Sequence, residues 1–109
     1  MIQISTKNEL ESKISTGEPL LIYFSSETCS VCVSLKAKIE KEVSKNFPKM
    51  KIYEIKADKY KEIASNFLVF SIPTILVFFD QKEFRRYGRN LSLAQFVNEI
   101  KRPYTLFMD

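Results

Sequence analysis

The chain has 109 residues, with 17 Lys and Arg against 13 Asp and Glu for a net charge of +4, 45% hydrophobic residues, 2 cysteines and no histidine. That length is one domain with one packed core. The missing histidine excludes Ser-His-Asp catalysis, Cys-His pairs and histidine metal sites, and two cysteines are too few for a secreted disulfide framework.

Met1 to Lys7 lacks the basic segment and apolar stretch of a signal peptide, so a cytoplasmic location is expected. No apolar run reaches the roughly 20 residues of a membrane span, so no membrane contact is expected. Ile2 to Ile4 reads as a short strand. Thr6 and Glu9 then form a capping box, Leu10 and Ile14 follow at i, i+4, and Gly17 takes the left-handed C-terminal position, which predicts a helix over 7–16. Pro19 leads into the apolar run Leu20 to Phe24, a buried strand. Ser25 to Thr28 is a polar turn. Cys32, Leu35, Ile39, Val43 and Phe47 then recur at helical spacing, so a long amphipathic helix ends near Asn46, before Pro48.

Residues 50–56 read as a strand, and Tyr60, Ile63, Ala64 and Phe67 give a short helix over 59–67. Thr74 to Phe79 is the most strand-like segment, Asp80 to Lys82 turns the chain, and Glu83 to Tyr87 returns as the second arm of an antiparallel hairpin closed by Gly88. Lys82, Arg85, Arg86 and Arg89, broken by Glu83, form a solvated strand face and turn rather than a nucleic-acid stripe, so no nucleic-acid partner is expected. Ser92 and Gln95 suggest a second capping box. Leu93, Phe96, Val97 and Ile100 line the last helix, and Pro103 is expected to stop it. Residues 103–109 form a tail whose Tyr, Leu, Phe and Met side chains predict docking on the body. The order β-α-β-α-β-α-β-β-α implies a single α/β domain over 1–109. Its mixed central sheet combines parallel strands and an antiparallel hairpin, with helices on both faces.

Cys29-Ser30-Val31-Cys32 falls where a buried strand gives way to a helix. Free backbone N–H groups and the positive end of the helix dipole stabilise a thiolate on Cys29. A thiolate is the nucleophile of disulfide exchange, and this placement lowers its pKa below the free value of about 8.5. Cys32, one turn further in, is near enough to attack the resulting mixed disulfide. The sequence holds no further cysteine or histidine to complete a four-ligand zinc site within one chain. A redox pair is the leading reading. A structural pair of buried cysteines and an iron–sulfur or metal-bridged dimer are the alternatives.

Ile72-Pro73-Thr74 follows about forty residues later, before an apolar strand, and Gly88 separates the last strand from the last helix. With these features the chain resembles the thioredoxin superfamily from about Ile2 to Ile100. The resemblance implies a thioredoxin-like fold and a thiol-disulfide oxidoreductase, with Cys29 attacking and Cys32 resolving. It implies a cis Pro73 facing the cysteines and a backbone at Ile72 that pairs with an extended substrate. Thr28 and Gly88 would complete the substrate rim. The implied partners are a disulfide-bearing protein or small-thiol substrate and a reductase or low-molecular-weight thiol as electron donor. No cofactor or metal beyond the Cys29–Cys32 disulfide is implied, and a monomer is expected.

The chain departs from the family pattern in several places. Thr28 stands where a tryptophan usually precedes the first cysteine, and Ser30-Val31 replaces Gly-Pro. Tyr23 occupies the place of the family's buried aspartate, and Glu54 that of its lysine partner. Ala37 and Lys38 stand where a helix proline is usual. Tyr23 is no proton acceptor at neutral pH, its ordinary pKa being about 10. Glu54 reads as a strand-face carboxylate in solvent, and is also the candidate proton acceptor in place of the missing acid. These losses motivate a second functional reading, a non-catalytic binding module whose cysteines sense redox state.

Overall fold

The computed structural model describes residues 1–108. Nine elements follow in chain order: β1 (Ile2–Gln3), α1 (Lys7–Ser15), β2 (Leu20–Ser25), α2 (Ser30–Asn46), β3 (Lys51–Lys56), α3 (Lys61–Asn66), β4 (Thr74–Phe79), β5 (Lys82–Tyr87) and α4 (Leu93–Met108). The strands form one sheet in the order β1-β3-β2-β4-β5. β1, β3 and β2 run parallel, β4 runs antiparallel to β2, and β5 antiparallel to β4.

Alternation along the buried strands divides the core. Leu20, Ile22 and Phe24 face one side with Leu10 of α1 and Ile63 and Ala64 of α3. Leu21 and Tyr23 face the other with Cys32, Ile39 and Val43 of α2 and Phe96 and Ile100 of α4. The period-2 placement of side chains lets one continuous apolar run serve both layers.

Local chemistry sets the ends of the elements. The Thr6 hydroxyl accepts the Glu9 N–H at 3.1 Å, and the Glu9 carboxylate accepts the Ser5 N–H at 3.2 Å. Gly17 has φ +76° and ends α1 in the left-handed conformation. Asp80 and Gln81 both have positive φ, 51° and 68°, the backbone of a two-residue type I′ hairpin turn. At the start of α4 only half of the expected capping box forms. Ser92 Oγ accepts the Gln95 N–H at 3.3 Å, while the Gln95 side chain turns to Glu99.

Pro103 does not stop the last helix, which runs through it to Met108. Proline costs an interior helix one hydrogen bond and a clash. Here tertiary contacts offset that cost. Tyr104 stacks near Phe47 with ring centroids 5.0 Å apart and accepts the Lys49 N–H on its hydroxyl at 2.9 Å. Phe107 meets Phe79 at 6.2 Å. The expected tail is therefore the end of a docked helix; its last residue, Asp109, lies outside the described residues.

Candidate redox site

The register of the central strands puts the two loops of the site at one edge of the sheet. Because β4 runs against β2, Thr74 pairs with Phe24, so the exit of β2 and the entry of β4 share an end. The chain leaving β2 reaches Cys29, and the chain entering β4 passes through Ile72 and Pro73. The Ile72–Pro73 peptide bond is cis.

Cys29 is the N-cap of α2, and its Sγ accepts the Cys32 N–H at 3.2 Å. A sulfur in that position receives a backbone donor and faces the positive end of a 17-residue helix, with no acidic residue in the first turn to oppose it. Cys29 is half-buried, whereas Cys32 is 2% exposed. The two are joined in a disulfide with Cα atoms 5.3 Å apart. An accessible sulfur over a buried one is the arrangement that sequential thiol exchange requires.

Of the other expected site residues, Ile72 packs against the same buried cluster as Cys29. Thr28 is exposed beside Cys29, Ile72 is half-buried and Pro73 is buried. Gly88 follows β5 in an exposed turn where an added Cβ would meet nothing within 4 Å. The neighbouring Arg89 guanidinium donates to the Ile72 carbonyl at 3.4 Å, so this turn and the proline loop are in contact.

Beneath the cysteines the substituted positions form a polar cluster. Tyr23 is fully buried, and its hydroxyl donates to the Cys32 carbonyl at 2.6 Å. Burial and the nearby Glu54 charge push its pKa up to about 12, so it stays neutral. Glu54 is not in solvent. It is 1% exposed, on the α2 side of the sheet, and pairs in register with Tyr23. Its carboxylate accepts from Lys36 Nζ at 2.7 Å, from Ser25 Oγ at 2.7 Å and from Gln3, and Lys56 Nζ lies 3.3 Å away. Burial raises the Glu54 pKa, but the hydrogen bonds from Lys36, Ser25 and Gln3 outweigh it and hold the carboxyl down to about 2.

Sequence reading did not anticipate Lys36, Ser25 and Gln3 as partners of Glu54. Lys36 lies one turn beyond Cys32 on α2, on the side of the helix that meets β3, which is the only sequence signal for the pair. Among the described residues no group of three or more Cys, Asp or Glu side chains is gathered to hold a metal ion, and no helix is long and apolar enough to cross a membrane.

The thioredoxin family model matches residues 1–102. The thioredoxin-like protein YdfQ of Bacillus subtilis is 34% identical over 98 residues, covering 90% of this chain and 87% of that protein. Thioredoxin of Rickettsia bellii is 34% identical over 76 residues, covering 69% of this chain and 71% of its own length. The solution structure of oxidised thioredoxin from Plasmodium falciparum superposes with a TM-score of 0.78 at 24% identity, covering 93% of this chain and 98% of that one, a likeness of fold. The mixed sheet, the cysteine pair at the head of α2 and the match over nearly the whole chain agree: the protein belongs to the thioredoxin family of thiol-disulfide oxidoreductases.

Proposed function

We propose that Cys29 and Cys32 reduce substrate disulfides, with Cys29 as the attacking and Cys32 as the resolving thiol. The observation that carries the assignment is the Cys32 N–H aimed at Cys29 Sγ on the half-buried first turn of α2. The Cys29 thiolate attacks one sulfur of the substrate disulfide. The substrate S–S bond breaks, one substrate thiolate leaves and takes up a proton, and a Cys29–substrate disulfide forms. Cys32 then gives up its proton and attacks Cys29 Sγ. The second substrate thiolate leaves, and two electrons have passed from the dithiol to the substrate. A reductase or a low-molecular-weight thiol returns the pair to the dithiol state.

In this reading the Ile72 backbone aligns an extended substrate chain against Pro73, with Thr28 and the Gly88 turn on the rim. The protein works as a single cytoplasmic domain, where a lone exchangeable disulfide is usually catalytic. Glu54 acts on the pair through its charge rather than as a base. Its three donors lower its affinity for a proton far below that of a thiolate, so it holds a thiol proton too weakly to keep it.

Reduction of an insulin disulfide by the dithiol form tests the assignment. Cys29→Ser is expected to abolish turnover, and Cys32→Ser to accumulate a covalent adduct with the substrate that added dithiol releases. Full activity in Cys29→Ser would sink the assignment.

A further inference from the structure

Two arginines flank the turn that follows β5, and they differ in what they hold. Arg86 is fully engaged. Its guanidinium donates to both Glu83 carboxylate oxygens at 2.9 Å and to the Phe67 and Leu68 carbonyls at 2.8 Å each. Arg89 is exposed, and among the described residues its side chain makes one hydrogen bond, the 3.4 Å contact with the Ile72 carbonyl. None of the salt bridges among the described residues includes Arg89. A guanidinium carries five N–H donors, so most of those on Arg89 are open to a partner.

The surroundings of Arg89 carry no opposing charge. The turn borders a cavity of about 340 Å³ whose lining includes Arg86, Gly88, Arg89, Asn90, Ser92 and Gln95, and no carboxylate lines it. Glu99, one turn further along α4 than Gln95, is already held by the Tyr87 hydroxyl at 2.7 Å and the Gln95 amide at 3.3 Å. An unpaired guanidinium among neutral polar groups attracts an anion. Its planar fork fits a carboxylate through two parallel N–H···O bonds, a match that a single ammonium does not make.

The Ile72 carbonyl ties this charge to the redox site. Ile72 precedes the cis Pro73, and the proposed reaction lays the substrate backbone along it. A carbonyl oxygen has two lone pairs, so it can accept from Arg89 and from a substrate N–H together. An extended chain advances about 3.3 Å per residue, which keeps the guanidinium within a residue or two of the chain paired at Ile72. We infer that Arg89 is a specificity-determining residue. It takes the carboxylate of an Asp or Glu that flanks the cysteine attacked by Cys29 in an extended protein substrate. The inference rests on the proposed reduction of disulfides at Cys29 and names its substrate class, disulfides set in acidic sequence. The net charge of +4 draws such chains in the same sense.

The test uses three peptides of equal length, each with one cysteine in disulfide with 2-mercaptoethanol and with Glu, Gln or Lys on both sides of it. The second-order rate constant of the dithiol protein on each peptide is divided by that of dithiothreitol on the same peptide. That ratio cancels the effect of the flanking charge on the sulfur itself. At about 0.1 M salt the Glu peptide is expected to react about fivefold faster than the Gln peptide, the upper end for an exposed ion pair, and the Lys peptide more slowly than either. At about 1 M salt, where the screening length falls to about 3 Å, the Glu preference should drop below about twofold. Arg89→Gln is expected to bring it below about twofold at both salt concentrations. Arg89→Lys should keep part of the preference, and Arg89→Glu should reverse it in favour of the Lys peptide. Arg85→Gln removes the same charge from β5, beside the Phe84 ring, and is expected to keep the preference. A variant that merely disturbs the fold slows all three peptides alike and leaves their ratios in place. Equal normalised rates in the wild-type chain, or a Glu preference that survives in Arg89→Gln, overturn the inference while leaving disulfide reduction intact. A dithiol chain that reduces none of the three peptides overturns the proposed reaction and the inference with it.

Discussion

Replacing Glu54 by Gln tests the polar cluster under the cysteines most directly. The substitution keeps the shape and removes the charge that Lys36, Ser25 and Gln3 hold and Lys56 faces. A carboxyl held down to about 2 from its ordinary 4.5 contributes about 3 kcal/mol at neutral pH, at about 1.4 kcal/mol per pH unit. Glu54→Gln leaves the two ammonium groups opposite a neutral amide. Both lysines are partly exposed, 31% and 25%, and turn toward water. The loss is therefore set at about 2–3 kcal/mol, against a total of roughly 5–15 for a domain. Urea unfolding at pH 7 reads it as a midpoint lowered by about 0.7–3 M, for a slope of about 1–3 kcal/mol/M. The pH dependence supplies the sign. A carboxyl whose folded pKa is depressed stabilises fully above its ordinary pKa, and that stability is lost as pH falls from 4.5 through about 2. The wild-type chain should thus lose its advantage across that window and converge with the variant at its foot. A variant within about 0.5 kcal/mol of wild type at pH 7, or a gap that does not narrow on acidification, would refute the reasoning.

Other substitutions probe the frame around the site. Gln81→Gly converts the hairpin turn to Asp-Gly, relieves the positive φ of 68° and should raise stability by about 0.5–1 kcal/mol in thermal unfolding. Phe47→Ala removes a fully buried ring that packs on Phe96 and Tyr104 and should cost about 3–5 kcal/mol by urea titration. Pro103→Ala restores a helix N–H within α4 and should raise stability, by up to about 3 kcal/mol, with added helicity in circular dichroism.

The order of elements was legible because the apolar spacing changes cleanly from helical to continuous along the chain, with Gly17, Pro48 and Gly88 marking the breaks. The end of α4 was not legible. Pro103 is a local stop signal, and the docking of Tyr104 and Phe107 on Phe47 and Phe79 is a long-range contact that no local pattern carries. At the site, the placement of Cys29 at a helix head was readable from its spacing after β2. The burial of Glu54 was not. In sequence it sits between two apolar neighbours, Tyr53 and Ile55, in a strand whose alternate positions are Ile52 and Lys56. That alternation mixes one apolar and one charged residue on its own face, so it does not decide between core and solvent.

The hydrogen bonds that hold Glu54 ionised bear on how a proton leaves Cys32 in the proposed reaction. When Cys32 attacks the mixed disulfide it must first lose its proton, and the acidic side chains of the cluster beneath it are Tyr23 and Glu54. Tyr23 stays protonated up to about 12 and its hydroxyl is already donated to the Cys32 carbonyl. Glu54 stays ionised down to about 2. Neither changes state between pH 5 and 9, so in the proposed reaction the pH dependence of resolution belongs to the thiols themselves. Single-turnover resolution of a Cys29 mixed disulfide, followed from pH 5 to 9, should then rise with thiol ionisation alone. In folded Glu54→Gln the midpoint should move to lower pH, because an anion that opposes the Cys32 thiolate is gone, and the limiting rate should change by less than about tenfold. A general base removed from the same step costs about 10²–10⁴-fold. A loss of that size in Glu54→Gln, with the fold intact, would make Glu54 the proton acceptor after all and would require its carboxylate to part from Lys36 during the reaction.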